Sequence, residues 1–104
     1  MVPNIRDVDR KNIYELAIEL ADIGERARTN KITPDELQGG TFSISNLGMF
    51  GVSEFSAIIN PPQSCILAVG AGAEKPYVKS GKVEIGTFMN VTLSTDHRSV
   101  DGAV

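Results

Sequence analysis

The chain has 104 residues, with ten Lys plus Arg against thirteen Asp plus Glu, a single histidine and a single cysteine. That length allows one domain with a modest core, and a formal net charge of -3 leaves no electrostatic footprint for nucleic acid or an anionic membrane. No apolar run approaches the roughly 20 residues of a spanning helix, no charged-then-apolar leader opens the chain, and a lone cysteine closes no internal disulfide, so a soluble, unexported chain in a reducing compartment is expected.

In chain order, Asn12-Ile13-Tyr14-Glu15 sets an N-cap residue three positions before a glutamate. The stripe Ile13, Leu16, Ala17, Leu20, Ile23, Gly24 and Ala27 continues at helical spacing. A helix from about Asn12 to Arg28 follows, its apolar face lying on a sheet and its Glu15, Glu19, Asp22 and Arg26 facing water. Thr33-Pro34-Asp35-Glu36 reads as a second helix start, cut short by Gly39-Gly40. The pattern then becomes strand-like: Thr41 to Ser45, roughly Ser64 to Val69, Tyr77 to Lys79, Lys82 to Gly86, and a long strand near Phe88 to Ser94. Ser80-Gly81 is a hairpin turn, and Asn60-Pro61-Pro62 a rigid bend that neither helix nor central strand tolerates. A helix followed by several strands predicts an α+β fold with a mixed sheet under helix cover, and there are no internal repeats.

Charge is spread unevenly. Residues 39 to 73 hold only Glu54, whereas residues 1 to 38 hold six basic and eight acidic side chains. An uncharged middle of that length is either the central strands of the domain or part of an interface. Cys65, in the run Cys65-Ile66-Leu67-Ala68-Val69, reads as a small buried hydrophobe. Gly70-Ala71-Gly72-Ala73-Glu74-Lys75 only superficially resembles a phosphate-cradling loop, because Pro76 blocks the helix that would complete it. Asn90-Val91-Thr92 matches a glycosylation acceptor but falls in a predicted strand.

The segment richest in chemistry is Asp96-His97-Arg98-Ser99-Val100-Asp101-Gly102, which carries the only histidine just past a predicted strand end and a carboxylate four residues beyond it. An imidazole is the side chain suited to taking a proton near neutral pH, and strand ends are where scaffolds present reactive groups. The alternative is a surface or packing histidine with no chemical role.

Four stretches in order carry a family resemblance: Val2-Pro3-Asn4-Ile5-Arg6-Asp7 with the helix after it; Gly39-Gly40-Thr41-Phe42-Ser43-Ile44-Ser45-Asn46-Leu47-Gly48; Ile58-Ile59-Asn60-Pro61-Pro62-Gln63; and Asp96 to Ala103. Together they resemble the catalytic domain of the dihydrolipoyl acyltransferases of 2-oxoacid dehydrogenase complexes, the acetyl-transferring members more than the succinyl or branched-chain ones. His-x-x-x-Asp-Gly alone also occurs in chloramphenicol acetyltransferase, whose motif usually has a second histidine where this chain has Asp96.

The resemblance implies a chloramphenicol-acetyltransferase-like α+β fold, of which residues 1–104 are the C-terminal part, with the N-terminal part, a final helix, the lipoyl domain and the peripheral-subunit-binding domain outside it. It implies transfer of an acetyl group between dihydrolipoyl-lysine and coenzyme A at the core of a pyruvate dehydrogenase complex. Coenzyme A is then a substrate, the lipoyl group sits on a separate domain, and no metal takes part. A free thiol near pKa 8.5 and an ordinary imidazole near 6.5 differ by about 2 units, so full proton transfer costs about 2.7 kcal/mol, within reach of a general base. His97 is the implied base and Ser45 the implied donor to the tetrahedral oxyanion. Asp101 either orients the imidazole or, as the preferred reading, holds the loop through an ion pair, with Arg98 as the nearest cation and a partner outside these residues as the alternative. In that family the serine and histidine meet across a subunit boundary, so homotrimers, larger cores and the other components of the complex are the implied partners. The compartment is bacterial cytoplasm or mitochondrial matrix. A catalytically silent scaffold, an acyltransferase of another 2-oxoacid complex, and a chloramphenicol-acetyltransferase-like detoxifying enzyme are the competing readings.

Overall fold

A computed structural model describes residues 2–104, which fall into two compact units divided after Gly40. In the first, α1 spans Ile13–Arg28. Its start is fixed as expected: the Asn12 side chain accepts the Glu15 N–H at 2.9 Å, and the Asn12 amide donates to the Glu15 carboxylate at 3.3 Å. Its end carries no glycine. Asn30 takes the left-handed conformation at φ 56°, and Lys31 N–H reaches back to the Arg26 carbonyl at 2.7 Å while Asn30 N–H reaches Ala27 at 3.4 Å, a Schellman closure with asparagine in the glycine's place. The second start becomes a short 3-10 turn, Pro34–Leu37. The N-terminal segment is tied to that turn by Asn4 N–H on the Glu36 carbonyl and by the Arg6 guanidinium on the Asp35 carbonyl.

Two expectations for α1 change. Of its apolar stripe only Ile23 is buried, while Ile13 and Tyr14 are each 81% exposed, and this unit contains no sheet among its described residues. Within this unit the face is left largely exposed. Glu19 and Arg26 do not simply face water: Lys11 pairs with Glu19 at 2.6 Å, and Arg26 pairs with both Asp22 and Glu36, leaving Glu19 and Arg26 half-buried. Glu36 is held below the ordinary carboxylate value, first by its hydrogen bond from Arg26.

The second unit contains all five strands: β1 Ser43–Asn46, β2 Cys65–Val69, β3 Ala73–Lys79, β4 Lys82–Phe88 and β5 Val91–Thr95. β2 is the centre of a mixed three-stranded sheet, parallel to β1 and antiparallel to β5; β3 and β4 form a separate antiparallel hairpin. The class expected, α+β with a mixed sheet, is the one found. Ser80 and Gly81, at φ 53° and 78°, make the tight hairpin turn. β3 begins earlier than expected and includes Pro76, because each strand of a two-stranded ribbon has a free edge on which a missing N–H costs no ladder bond. The long last strand divides in two: the chain leaves the hairpin at Phe88 and enters the other sheet at Val91, with the Asn90 carbonyl accepting Gly70 N–H between them.

Across the sheet, one face aligns Ser43, Ile66 and Ser94, then Ser45, Ala68 and Thr92. Ile66 and Ala68 are buried there. The other face aligns Ile44, Leu67 and Leu93, then Asn46, Val69 and Val91; Ile44 is 67% and Leu93 55% exposed. Cys65 shares this second face and is half-buried, not buried, since a strand side chain on an uncovered face keeps contact with solvent. Gly70 ends β2 because nothing larger fits: a Cβ there would lie 2.1 Å from the Ser53 carbonyl oxygen. Gly70 is thus required for packing, and the residues after the glycine-rich stretch form β3, so no helix N-terminus follows it.

Candidate active site

His97 lies two residues beyond the end of β5, in a tight turn. The turn is built by Asp96. Its backbone carbonyl accepts Ser99 N–H at 3.0 Å and Val100 N–H at 2.9 Å, and its carboxylate accepts Arg98 N–H at 3.1 Å. The same carboxylate takes the Arg98 guanidinium in a two-pronged pair, Nε to Oδ1 at 3.0 Å and NH2 to Oδ2 at 2.8 Å. That hydrogen bonding holds the Asp96 carboxyl at a pKa of about 2. Asp96 N–H donates to the Ser64 carbonyl at 2.7 Å and the Ser99 hydroxyl meets the Ser64 hydroxyl at 3.0 Å, so the turn is moored to the entry of β2.

Beside His97 opens a hollow of about 380 Å³, walled by Ile59, Pro61, Pro62 and Gln63 on one side and by Thr95 to Arg98 on the other. The rigid bend expected at Asn60-Pro61-Pro62 therefore shapes the site. Its Pro61–Pro62 bond is cis, Gln63 N–H closes onto the Asn60 carbonyl at 3.0 Å, and its prolines supply the apolar wall. His97 is exposed, and its ring makes no hydrogen bond to another described residue. A cleft with an apolar wall and a free imidazole at its rim can admit a small acyl or thiol group and exchange a proton with it.

The other two residues singled out by sequence stand elsewhere. Asp101 does not pair with Arg98, which pairs with Asp96 instead; the Asp101 Oδ1 accepts the N–H groups of Ala103 at 3.0 Å and Val104 at 3.1 Å. Two residues of separation let Asp96 fold back on Arg98 in an Asx-type turn, whereas the chain from Arg98 to Asp101 turns the aspartate toward the residues that follow it. Ser45 lies near the C-terminal end of β1, level with Ala68 and Thr92. Because β5 runs antiparallel to β2, His97 is beyond the opposite end of the sheet, on the order of 15 Å from Ser45 by strand rise alone. One copy of the chain does not bring Ser45 and His97 together.

Asp96, Ser64 and Ser99 went unrecognised as parts of this site in the sequence. A signal for Asp96 was there: an aspartate two residues before an arginine, across a tight turn, is the pattern of an Asx turn closed by an ion pair. Ser64 carries no such signal, since only the β2–β5 register brings it beside the turn.

The model of the 2-oxoacid dehydrogenases acyltransferase family, catalytic domain, matches residues 1–104. The chain belongs to that family. Among its members, the dihydrolipoyllysine-residue acetyltransferase component of the pyruvate dehydrogenase complex of Rickettsia bellii is 55% identical over 104 residues, all of this chain and 25% of the relative. A crystallographic and enzymatic study of dihydrolipoamide acetyltransferase from Azotobacter vinelandii, on the role of one serine, one histidine and one asparagine in its mechanism, provides a structure with TM-score 0.87 at 41% identity, covering 99% of this chain and 42% of that one. The cubic core of a pyruvate dehydrogenase multienzyme complex matches with TM-score 0.87 at 40% identity, again over 99% and 42%. The acyltransferase fold expected from the sequence is therefore present, and the chain spans a quarter of the length of its curated Rickettsia relative. No described helix is long and apolar enough to cross a membrane, and no cluster of three or more metal-ligating side chains occurs among the described residues.

Proposed function

We propose that the chain serves in a dihydrolipoyllysine-residue acetyltransferase, moving an acetyl group between a dihydrolipoyl thiol and coenzyme A in a pyruvate dehydrogenase complex. The observation that carries this reading is the coincidence of spacing and place. In the Azotobacter enzyme the serine, histidine and asparagine under study are separated by 52 and 4 residues, the intervals between Ser45, His97 and Asp101 here. His97 also stands at the rim of a hollow that an acyl thiol arm could enter beside it.

In this reading His97 takes the proton of the attacking thiol, and the thiolate adds to the thioester carbonyl. The tetrahedral oxyanion accepts a hydrogen bond from the Ser45 hydroxyl, and its collapse expels the second thiolate, which recovers the proton from His97. Coenzyme A and the lipoyl arm enter as substrates, the lipoyl group borne on a domain outside these residues. Asp101, where the Azotobacter enzyme has asparagine, orders the chain leaving the turn by capping Ala103 and Val104. The sheet register separates Ser45 from His97, and the reading resolves this by pairing Ser45 of one copy with His97 of another in a trimer packed into a larger core. Residues 1–104 would form the C-terminal part of the catalytic domain.

The test is acetyl transfer from acetyl-coenzyme A to dihydrolipoamide, with molar mass by light scattering on the same sample. Activity confined to trimers or larger species is the expected result. Full turnover by a monomer would overturn the cross-subunit site, and an assembled, folded core without transfer would overturn the function.

A further inference from the structure

We propose that Asp96 is the positioning residue of the His97 site, locking the turn that presents the imidazole through Arg98 on one side and Ser64 on the other. The inference rests on His97 being the base, and it goes beyond that reading by saying what aims the base.

The geometry is specific. Neither ring nitrogen of His97 is hydrogen-bonded to another described residue, so among hydrogen bonds it is those of the flanking backbone that place the ring. Asp96, preceding it, is fixed by its N–H on the Ser64 carbonyl at 2.7 Å. Arg98, following it, is fixed by its N–H on Asp96 Oδ1 at 3.1 Å and by its guanidinium on both carboxylate oxygens at 3.0 and 2.8 Å. Ser99 closes the turn with its N–H on the Asp96 carbonyl and its hydroxyl on that of Ser64. His97 thus stands between a backbone tie to Ser64 on one side and the carboxylate–guanidinium pair of Asp96 and Arg98 on the other. An exposed ion pair contributes little to overall stability, and Arg98 is 92% exposed, so the value of this pair lies in orientation: a planar guanidinium held at two points, with the peptide N–H of the same residue, favours one arrangement of the turn. Arg98 and Asp96 also line the hollow beside His97, so a loosened turn would change where the ring meets a substrate. Small displacements of a reacting group are expensive: about 1 Å of misplacement can cost about 100-fold in rate.

The experiment compares steady-state acetyl transfer by Asp96→Ala, Asp96→Asn, Arg98→Ala and the double variant Asp96→Ala/Arg98→Ala with His97→Ala and the unaltered protein, each assembled as its gene encodes it. Asp96→Ala is expected to lower kcat roughly 10- to 100-fold with KM for both substrates changed less than about twofold. Asp96→Asn, which keeps an acceptor for Arg98 N–H, recovers part of that loss. The double variant is no slower than Asp96→Ala alone, since both substitutions break one lock. Should Asp96→Ala fail to assemble, the near-isosteric Asp96→Asn carries the same comparison. Unchanged kcat in Asp96→Ala, multiplicative losses in the double variant, or a loss that appears in KM and marks Arg98 as a substrate contact would each overturn the proposal. Retained activity in His97→Ala would instead sink the assignment of the base, and the two failures are separable.

Discussion

Gly70→Ala tests whether the glycine after β2 exists for close packing. An added Cβ would stand 2.1 Å from the Ser53 carbonyl oxygen and 2.7 Å from its carbon, against 3.4 Å for ordinary contact, so the backbone of residues 52–53 must retreat by more than 1 Å. No flexible side chain is available to absorb the clash. Forcing a methyl into a filled site costs about 1–3 kcal/mol, and the retreat also strains the 2.7 Å bond from Ala71 N–H to the Val52 carbonyl, worth about 1 kcal/mol. A loss of about 2–4 kcal/mol is expected, read as a fall in denaturation midpoint at constant slope in urea. Gly72→Ala is the internal control: its Cβ would meet only Thr87 Cγ2 at 3.6 Å, an ordinary contact, and should leave stability within about 0.5 kcal/mol of the parent. If Gly70→Ala were as mild as Gly72→Ala, the packing argument would fail.

Three further outcomes follow from the same geometry. Asp96 has a folded-state pKa near 2, below that of an unpaired carboxylate, so the turn is fully ordered above the ordinary carboxylate range and loosens only as pH falls through about 2; carbon NMR of its carboxyl should show that midpoint, rising in Arg98→Ala, and an ordinary midpoint near 4 would contradict the pair. Asn12→Ala removes the cap on Glu15 N–H and should cost α1 about 1 kcal/mol, measured as lost helicity by circular dichroism, whereas an unchanged spectrum would show the cap to be idle. Refolding Ser45→Ala together with His97→Ala in equal amounts should restore about a quarter of parental acetyl transfer if each site takes its serine and histidine from different copies, and nothing above the separate variants if it does not.

What the sequence revealed and what it hid divide along physical lines. The helix start, the hairpin turn and the proline bend were legible because each is decided within a few residues by a cap, a pair of left-handed positions or a fixed φ. The helix end was not flagged by a glycine, since asparagine also tolerates φ 56°. The strand break between Phe88 and Val91 was hidden because both flanking segments favour extended backbone, and only tertiary pairing decides that they belong to different sheets. His97 was visible as the only imidazole in a strand-end motif, but Asp96 was not singled out as the partner of Arg98, the nearest cation considered for Asp101. Sequence proximity offered two aspartates, and the choice between them depends on the curl of one turn.

Two independent features point to the same incompleteness in one copy of these residues. The first is apolar exposure: Ile44 and Leu93 are 67% and 55% exposed on one sheet face, Ile13 and Tyr14 each 81% on α1, and Ile58 91%. The second is chemical: the proposed base at one end of a sheet and the proposed oxyanion donor near the other cannot act on one carbonyl. Burial and catalysis make unrelated demands, yet both are met by bringing further protein surface against this chain.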